Sequence, residues 1–180
     1  MKRHTIIGCF ACVLGLTTWS HGQAVPTASR IGSISVGAGG TWIKPDFGQQ
    51  NIEGVTFWGD FDFPHNWGVE GVIHYSVNTP QDVSENSYIL GPRYILRHKH
   101  LEGYAKALFG VGHFGLQAGS NPYPGTASYF EYAVGVGIDY RVAHHINIRP
   151  IDFEVQKWPG FGANGLSPYA LTFGASYVFH

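Results

Sequence analysis

Few residues in this chain have the types and spacing that chemistry requires, and the first candidates are a histidine and a serine two positions apart. His74 and Ser76 are separated by Tyr75, so alternation along a strand would place both side chains on one face. A serine hydroxyl becomes a nucleophile when a histidine takes its proton and an acid orients that histidine. No acid stands at an evident position to orient His74, so packing of two polar side chains is the simpler interpretation.

Histidine is also a common metal ligand, and the chain has ten histidines. His98 with His100, and His144 with His145, form close pairs in segments predicted to be short turns. No cysteine or carboxylate accompanies either pair at a spacing typical of a metal site. The sequence therefore predicts no catalytic residue, no metal site and no cofactor.

The first 24 residues have the features of an export signal, and we predict a signal peptide over 1–24 that is cleaved after about Ala24. A basic start is followed by an apolar stretch from Ile6 to Leu16 and by small residues. Both cysteines, Cys9 and Cys12, lie inside this segment, so the mature chain should contain no disulfide. No later window approaches the roughly 18–20 consecutive apolar residues of a spanning helix. A single domain over 25–180 remains, and in a membrane it would have to span with strands.

Apolar residues at every second position predict eight strands in that domain. The predicted strands cover 31–43, 53–63, 68–77, 87–97, 101–116, 128–142, 146–157 and 168–179. The links after the odd-numbered strands are long and rich in Pro, Gly and Asn, whereas those after the even-numbered strands are short. Outer-membrane barrels alternate long extracellular loops with short periplasmic turns in this way.

The two faces of the predicted strands differ in side-chain size. One face carries mostly large apolar residues: Ile34, Val36, Trp42, Phe57, Phe61, Phe63, Ile73, Tyr75, Leu90, Tyr94, Leu96, Phe109, Val111, Phe130, Tyr132, Val136, Ile138, Tyr140, Phe153, Tyr169, Phe173, Tyr177 and Phe179. So many large side chains would not fit inside an eight-stranded barrel. The sequence thus favours an all-β, eight-stranded antiparallel up-and-down transmembrane β-barrel over a secreted lipocalin-like barrel. Aromatic residues near the strand ends, such as Trp42 and Trp67, should form girdles at the membrane interfaces.

The opposite, inward face is small or charged. Its charged members are Arg93, Arg97, Lys106, Arg141, Arg149, Asp60, Asp62, Glu70, Glu102, Glu131, Asp139, Asp152 and Glu154. Charges of both signs are mixed throughout, which predicts a salt-bridged plug; a narrow channel is the alternative. The charged positions of the seventh strand change parity, and we predict a β-bulge near Pro150 and Ile151 that resets the register.

These features resemble the small OmpA/OmpX-like outer-membrane β-barrels. The resemblance rests on Tyr88–Tyr94, Tyr104–Gly112, Tyr132–Asp139 and the terminal Tyr177–Phe179. It implies that the outer-membrane assembly machinery recognises the last strand, although His180 follows the terminal aromatic usual in the family. The His74-x-Ser76 pair is similar to the His-x-Ser motif of outer-membrane lipid A deacylases, but Val77 interrupts the rest of that motif.

From the sequence we therefore expect an integral protein of the bacterial outer membrane that is not an enzyme, with a plugged polar lumen and a structural or surface-interaction role. The alternatives are a narrow ion channel and a lipid A deacylase-like hydrolase. Expected partners are outer-membrane lipids and lipopolysaccharide, the assembly machinery and an extracellular loop partner. Loop aromatics at Phe47, Tyr123 and Phe161 are candidates for that last contact. Nucleic acid is not expected, because the formal net charge is −1 and no basic block occurs.

Overall fold

Alternation of large apolar residues with small or polar ones produces eight strands, which close into one antiparallel barrel. The computed structural model describes residues 32–46, 51–78, 83–116, 125–162 and 164–179. The strands are β1 (Ser33–Lys44), β2 (Ile52–Asp62), β3 (Trp67–Asn78), β4 (Val83–His98), β5 (Leu101–Leu116), β6 (Gly125–Ala143), β7 (Ile146–Lys157) and β8 (Tyr169–Phe179). Each strand pairs with its sequence neighbour, and β1 closes the barrel on β8 with Val36 opposite Tyr177. The predicted all-β barrel is confirmed.

The predicted strands match the observed ones closely, with two differences at the start of strands. β4 begins at Val83 and β6 at Gly125, a few residues earlier than predicted, so both strands extend further from the barrel. The predicted signal peptide and the loop residues Phe47 and Tyr123 lie outside the described residues. Within the described part of the chain, no helix has the length and apolar character needed to cross a membrane.

Three short turns, at 63–66, 99–100 and 144–145, lie at the same end of the barrel, which we call the turn end. Asn66 and Lys99 have φ values of 62° and 55°, a conformation that tight turns require and that asparagine tolerates well. The opposite end, which we call the loop end, carries three longer links, at 45–51, 117–124 and 158–168, and a four-residue link at 79–82. Alternation of short and long links around an even number of strands is the arrangement of outer-membrane barrels.

The outer surface of the barrel is apolar, as predicted. Phe57 is 50% exposed while its neighbour Trp58 is 2% exposed, so the two faces alternate sharply along one strand. All the predicted outward side chains are exposed except Phe61 and Ile138, which are half-buried. An apolar surface of this extent would aggregate in water, whereas a lipid bilayer solvates it.

Aromatic pairs occupy both ends of this apolar surface. Trp67 and Tyr94 contact each other edge to face near the turn end, with ring centroids 5.1 Å apart. Trp42 lies against Phe173 nearer the loop end, at 5.3 Å. Amphipathic rings at these two levels match the girdles expected at the interfaces of a membrane.

A β-bulge interrupts β7 at the position predicted from the charge pattern. The register with β8 shifts between Arg149 and Asp152, which brackets Pro150. Asn147 and Arg149 before the shift, and Asp152 and Glu154 after it, are all buried in the lumen. Proline has no backbone N–H to donate to the strand ladder. The extra residue of the bulge can therefore be placed at Pro150 without the loss of a ladder hydrogen bond.

Strands β4 and β5 approach each other closely at Gly110. This glycine pairs with Ile89, and a Cβ atom at Gly110 would overlap the carbonyl oxygen of Tyr88. A side chain at this position would therefore displace the backbone of β4. Gly103 of the same strand has no atom within 4 Å of the corresponding Cβ position.

We expect Gly110→Ala to destabilise the barrel by about 1–3 kcal/mol, because the added methyl group forces two paired strands apart. Gly103→Ala is the matched control and should change the free energy of unfolding by less than about 0.5 kcal/mol. Urea unfolding of the protein refolded into lipid vesicles measures both values. Equal effects of the two substitutions would contradict the close approach at Gly110.

A second prediction tests which face contacts lipid. Val136 is 57% exposed in the middle of β6. Val136→Arg should lower the free energy of unfolding in vesicles by about 2–4 kcal/mol, since it places a charge near the bilayer midplane. Ser128→Arg, on the same strand but in its loop-end extension, should cost no more than about 1 kcal/mol. A barrel whose outer surface faced water would tolerate both substitutions.

Candidate functional site

The centre of the lumen holds a buried lysine surrounded by three carboxylates. Lys106 extends inward from β5, and its Nζ lies 2.7 Å from Glu70 Oε1, 2.6 Å from Asp152 Oδ2 and 2.6 Å from Glu154 Oε1. The three acids come from β3 and β7, each two strands away from β5. Their carboxylate oxygens lie within 4.8 Å of one another, the spacing of a metal site. The ammonium group of Lys106 supplies the positive charge that a metal ion would bring there.

Arg149 joins this cluster to the acids nearer the turn end. Its Nε donates to Asp139 Oδ1 at 2.8 Å, and its Nη2 lies 3.3 Å from Asp60 Oδ2. Its Nη1 lies 3.2 Å from both Glu70 Oε1 and Asp152 Oδ2. The guanidinium group therefore contacts carboxylates from three other strands, β2, β3 and β6, and also Asp152 of its own strand β7. Planar guanidinium groups suit such multiple pairing better than ammonium groups do.

Arg93 shares its acidic partners with Arg149. Its Nη1 lies 2.7 Å from Asp60 Oδ2 and 3.2 Å from Glu70 Oε2, and its Nη2 lies 3.2 Å from Asp139 Oδ2. Both arginines also lie against the ring of Tyr104, with Cζ atoms 4.3 and 4.8 Å from its centroid. An aromatic face stabilises a nearby cation in a site from which water is excluded.

We call Arg93, Lys106 and Arg149, with Asp60, Glu70, Asp139, Asp152 and Glu154, the lumen network. Its three cations are at most 5% exposed. Trp58 adds bulk at the same level, where the Arg149 Cζ lies 4.4 Å from its ring centroid. The eight groups come from six strands, so the network fills and cross-links the middle of the barrel.

His74 and Ser76 both point into the lumen, as alternation predicts, but they do not form a nucleophile and base. Ser76 Oγ donates to the carbonyl oxygen of Glu85 at 2.5 Å and accepts from the backbone N–H of Glu85 at 3.1 Å. His74 Nδ1 lies 2.7 Å from Thr56 Oγ1, and Nε2 donates to Glu154 Oε2 at 3.0 Å. The expectation that no acid orients His74 was wrong, because Glu154 approaches from the far side of the barrel.

At the turn end the lumen opens into a vestibule of about 450 Å³. Arg97 and Arg141, which were predicted to point inward, lie at its rim, and their side chains are 32% and 40% exposed. Asp62 lies 3.4 Å from Arg97, and Glu102 lies 3.3 Å from Arg141. The arginines of these pairs are partly exposed to solvent, so the pairs contribute little to stability compared with the lumen network.

At the loop end an aromatic cluster covers the lumen. Trp158, Phe114 and Leu166 are buried together, and Phe161 and Tyr129 pack against them. We call these five residues the cap. The segment after β7 folds back through a β-bridge, with Trp158 N–H donating to Leu166 O at 2.8 Å. Phe161, predicted to be an exposed loop aromatic, instead packs edge to face on Phe114 at 4.8 Å.

The structure places all eight predicted inward acids in the lumen or its vestibule, but sequence reasoning missed several inward groups. Glu85 is buried in the lumen and was missed because β4 starts earlier than predicted. Trp58 stands at an inward position of β2 but was missed because the narrow lumen was expected to hold only small or charged side chains, and Trp158 was missed because it lies beyond the last predicted residue of β7. The histidine pairs lie at the short turns, as predicted, and His144 Nδ1 is 3.3 Å from His145 Nε2.

Several solved bacterial β-barrels have similar folds. Neisserial surface protein A (NspA) matches with a TM-score of 0.67 at 10% identity, covering 83% of this chain and 98% of that one. The N-terminal β-barrel domain of Pseudomonas aeruginosa OprF matches with a TM-score of 0.60 at 12% identity, covering 82% and 99%. Ail of Yersinia pestis, solved in complex with the heparin analogue sucrose octasulfate, matches with a TM-score of 0.53 at 18% identity, covering 83% and 100%. At these identities the similarity shows the fold alone.

The sequence itself carries a family assignment. Comparison with curated proteins finds no significant match. The family model of the outer membrane protein beta-barrel domain, however, matches residues 9–179, nearly the whole chain. Together with the closed eight-stranded fold, this match means that the chain belongs to the outer membrane protein beta-barrel domain family, whose members are bacterial outer-membrane proteins.

Proposed function

We propose that this protein is a closed, non-conducting barrel, exported by its signal peptide, that anchors a surface-exposed sheet in the bacterial outer membrane. Its role would be structural or one of surface interaction, not transport or catalysis. The observation that carries the proposal is the lumen network, in which Lys106, Arg93 and Arg149 bridge carboxylates across the barrel axis. The turn end would face the periplasm and the loop end the exterior.

The network supports a closed lumen because it occupies the space that an ion would need. Lys106 Nζ has three carboxylate oxygens within 2.7 Å, and Arg149 contacts four acids. A passing ion would have to break several of these pairs in a site that excludes water, which costs several kcal/mol for each charge left unpaired. A selective pore would instead present rings of one sign.

A surface role is supported by the unequal strand lengths. β4, β5 and β6 have 16, 16 and 19 residues, whereas the other strands have 11 or 12. At the loop end, β6 residues 125–131 and the β5 residues paired with them extend past Lys157, the last residue of β7, and would raise this wall of the barrel by roughly 10–20 Å. Its outer face carries Tyr88 against His113, with Ser128 bonded to the same histidine at 2.7 Å. A rigid wall with polar and aromatic side chains suits binding to an extracellular partner.

The apolar belt and the last strand support the other proposed partners. Lipid chains and lipopolysaccharide would contact the exposed apolar residues between the two aromatic levels. The assembly machinery would recognise β8, whose outward residues Phe173, Tyr177 and Phe179 are all exposed. The same strand then closes the barrel by pairing with β1.

The proposal predicts that the refolded protein shows no unitary conductance steps in a planar lipid bilayer. The double variant Trp58→Ala/Arg149→Ala should open a cation-preferring path, because it removes two bulky groups that lie 4.4 Å apart and leaves the carboxylates in place. Phe57→Ala is the matched control, since Phe57 precedes Trp58 and faces outward.

Current recordings of the three proteins test this directly. Silent wild-type and Phe57→Ala proteins, together with a conducting double variant, are the expected result. Regular conductance steps in the wild-type protein would contradict the closed lumen and support the alternative of a narrow channel.

A further inference from the structure

Two glutamates in the loop-end half of the lumen stand apart from the lumen network. Glu85 of β4 is 1% exposed and Glu131 of β6 is 0% exposed. Ser87 Oγ donates to Glu131 Oε1 at 3.0 Å and lies between the two acids on the inward face of β4. Both carboxylate oxygens of Glu85 have no hydrogen-bond partner among the described residues, whereas the Trp158 indole N–H lies close enough to the Glu131 carboxylate to act on it as a second donor.

No described cation pairs with either glutamate. Arg93, Lys106 and Arg149 form their ion pairs with acids other than Glu85 and Glu131. His74, the titratable group of this region, is held between Thr56 and Glu154. An ionised carboxylate buried without a partner costs several kcal/mol, and here two such groups act on each other electrostatically. Each of the other buried carboxylates of the lumen has a cation or histidine partner among the described residues, whereas neither of these two has one.

The cap lies beside the two glutamates, and Gln156 next to it is a further unpartnered polar group. Phe114 is the registered neighbour of Glu85 across β4 and β5, and Trp158 continues β7 beside Glu131. Gln156, at the preceding inward position of β7, is 2% exposed, and its amide nitrogen also lacks a partner among the described residues. A half-turn of that amide would present its oxygen instead, as a third oxygen donor.

We propose that Glu85 and Glu131 bind one divalent cation of the calcium type beneath the cap. A charge of +2 balances two carboxylates, and hard divalent cations prefer carboxylate and carbonyl oxygens as ligands. Glu85 offers both oxygens and Glu131 one, while the Gln156 oxygen and water can complete the shell. The bound ion would fix β4 to β6 under the raised wall, so it would stabilise the part of the barrel that faces the exterior. This site is separate from the proposed closure of the lumen and would exist whether or not the barrel conducts.

Terbium luminescence tests the site, because a terbium ion bound there would lie close to the Trp158 indole, which absorbs light and transfers the energy. The full refolded barrel in a zwitterionic detergent is titrated with terbium and then with calcium near neutral pH. We expect indole-sensitised emission that calcium displaces. Glu85→Gln or Glu131→Gln should weaken calcium binding by at least about tenfold, since each removes half of the charge that holds the ion. Glu102→Gln, in the vestibule, is the control and should change the affinity by less than about twofold.

A second pair of variants keeps the test decisive if the glutamate variants do not fold. Trp158→Phe should remove the sensitised emission, whereas Trp67→Phe, near the turn end, should leave it unchanged. The proposal is overturned if the wild-type protein gives no emission that calcium displaces, as it would if the two glutamates were protonated. It is also overturned if Glu102→Gln reduces binding as much as Glu85→Gln, or if Trp67→Phe removes the emission as Trp158→Phe does.

Discussion

The contact on which the rest of this barrel depends is the cluster of Lys106 with Glu70, Asp152 and Glu154 at the centre of the lumen. Each buried charge is tolerated only because the others are in place, since an unpaired ion in this environment costs several kcal/mol. The cluster therefore specifies register as well as stability. A slip of one residue in β5 would turn Lys106 toward lipid and leave three carboxylates without their shared partner.

The same constraint explains why the inner and outer surfaces of the barrel differ in character. The charges of the lumen network are directed inward and paired, so the outer face between the two aromatic levels can be apolar and dissolve in a bilayer. The cap closes the loop end with packed aromatic residues, and the vestibule keeps partly exposed ion pairs at the turn end. Under the proposed surface role, the part of the barrel available for contact with other molecules is the loop-end extension of β6 with the β5 residues paired to it.

Much of this architecture can be predicted from the sequence, because alternation gives both the strands and the face that each residue occupies. The bulge at Pro150 was predictable for the same reason: the inward charges of β7 change parity there. The pairing of charges was not predictable, since the stagger of a closed barrel decides which inward residues meet. Lys106 meets acids two strands away on either side, and Glu154 reaches His74 across the barrel. The cap was missed because Trp158 and Phe161 follow the last alternating residue of β7.

The free energy of unfolding of Lys106→Met tests the central role of the lumen network most directly. Lys44→Met is the control, because Lys44 is exposed at the end of β1. At neutral pH we predict that the free energy of unfolding of Lys106→Met is about 3–5 kcal/mol lower than that of the wild-type protein. Acidification should reduce this difference, because protons neutralise the three carboxylates that have lost their lysine partner. Lys44→Met should match the wild-type protein. A Lys106→Met barrel as stable as Lys44→Met at neutral pH would contradict the account.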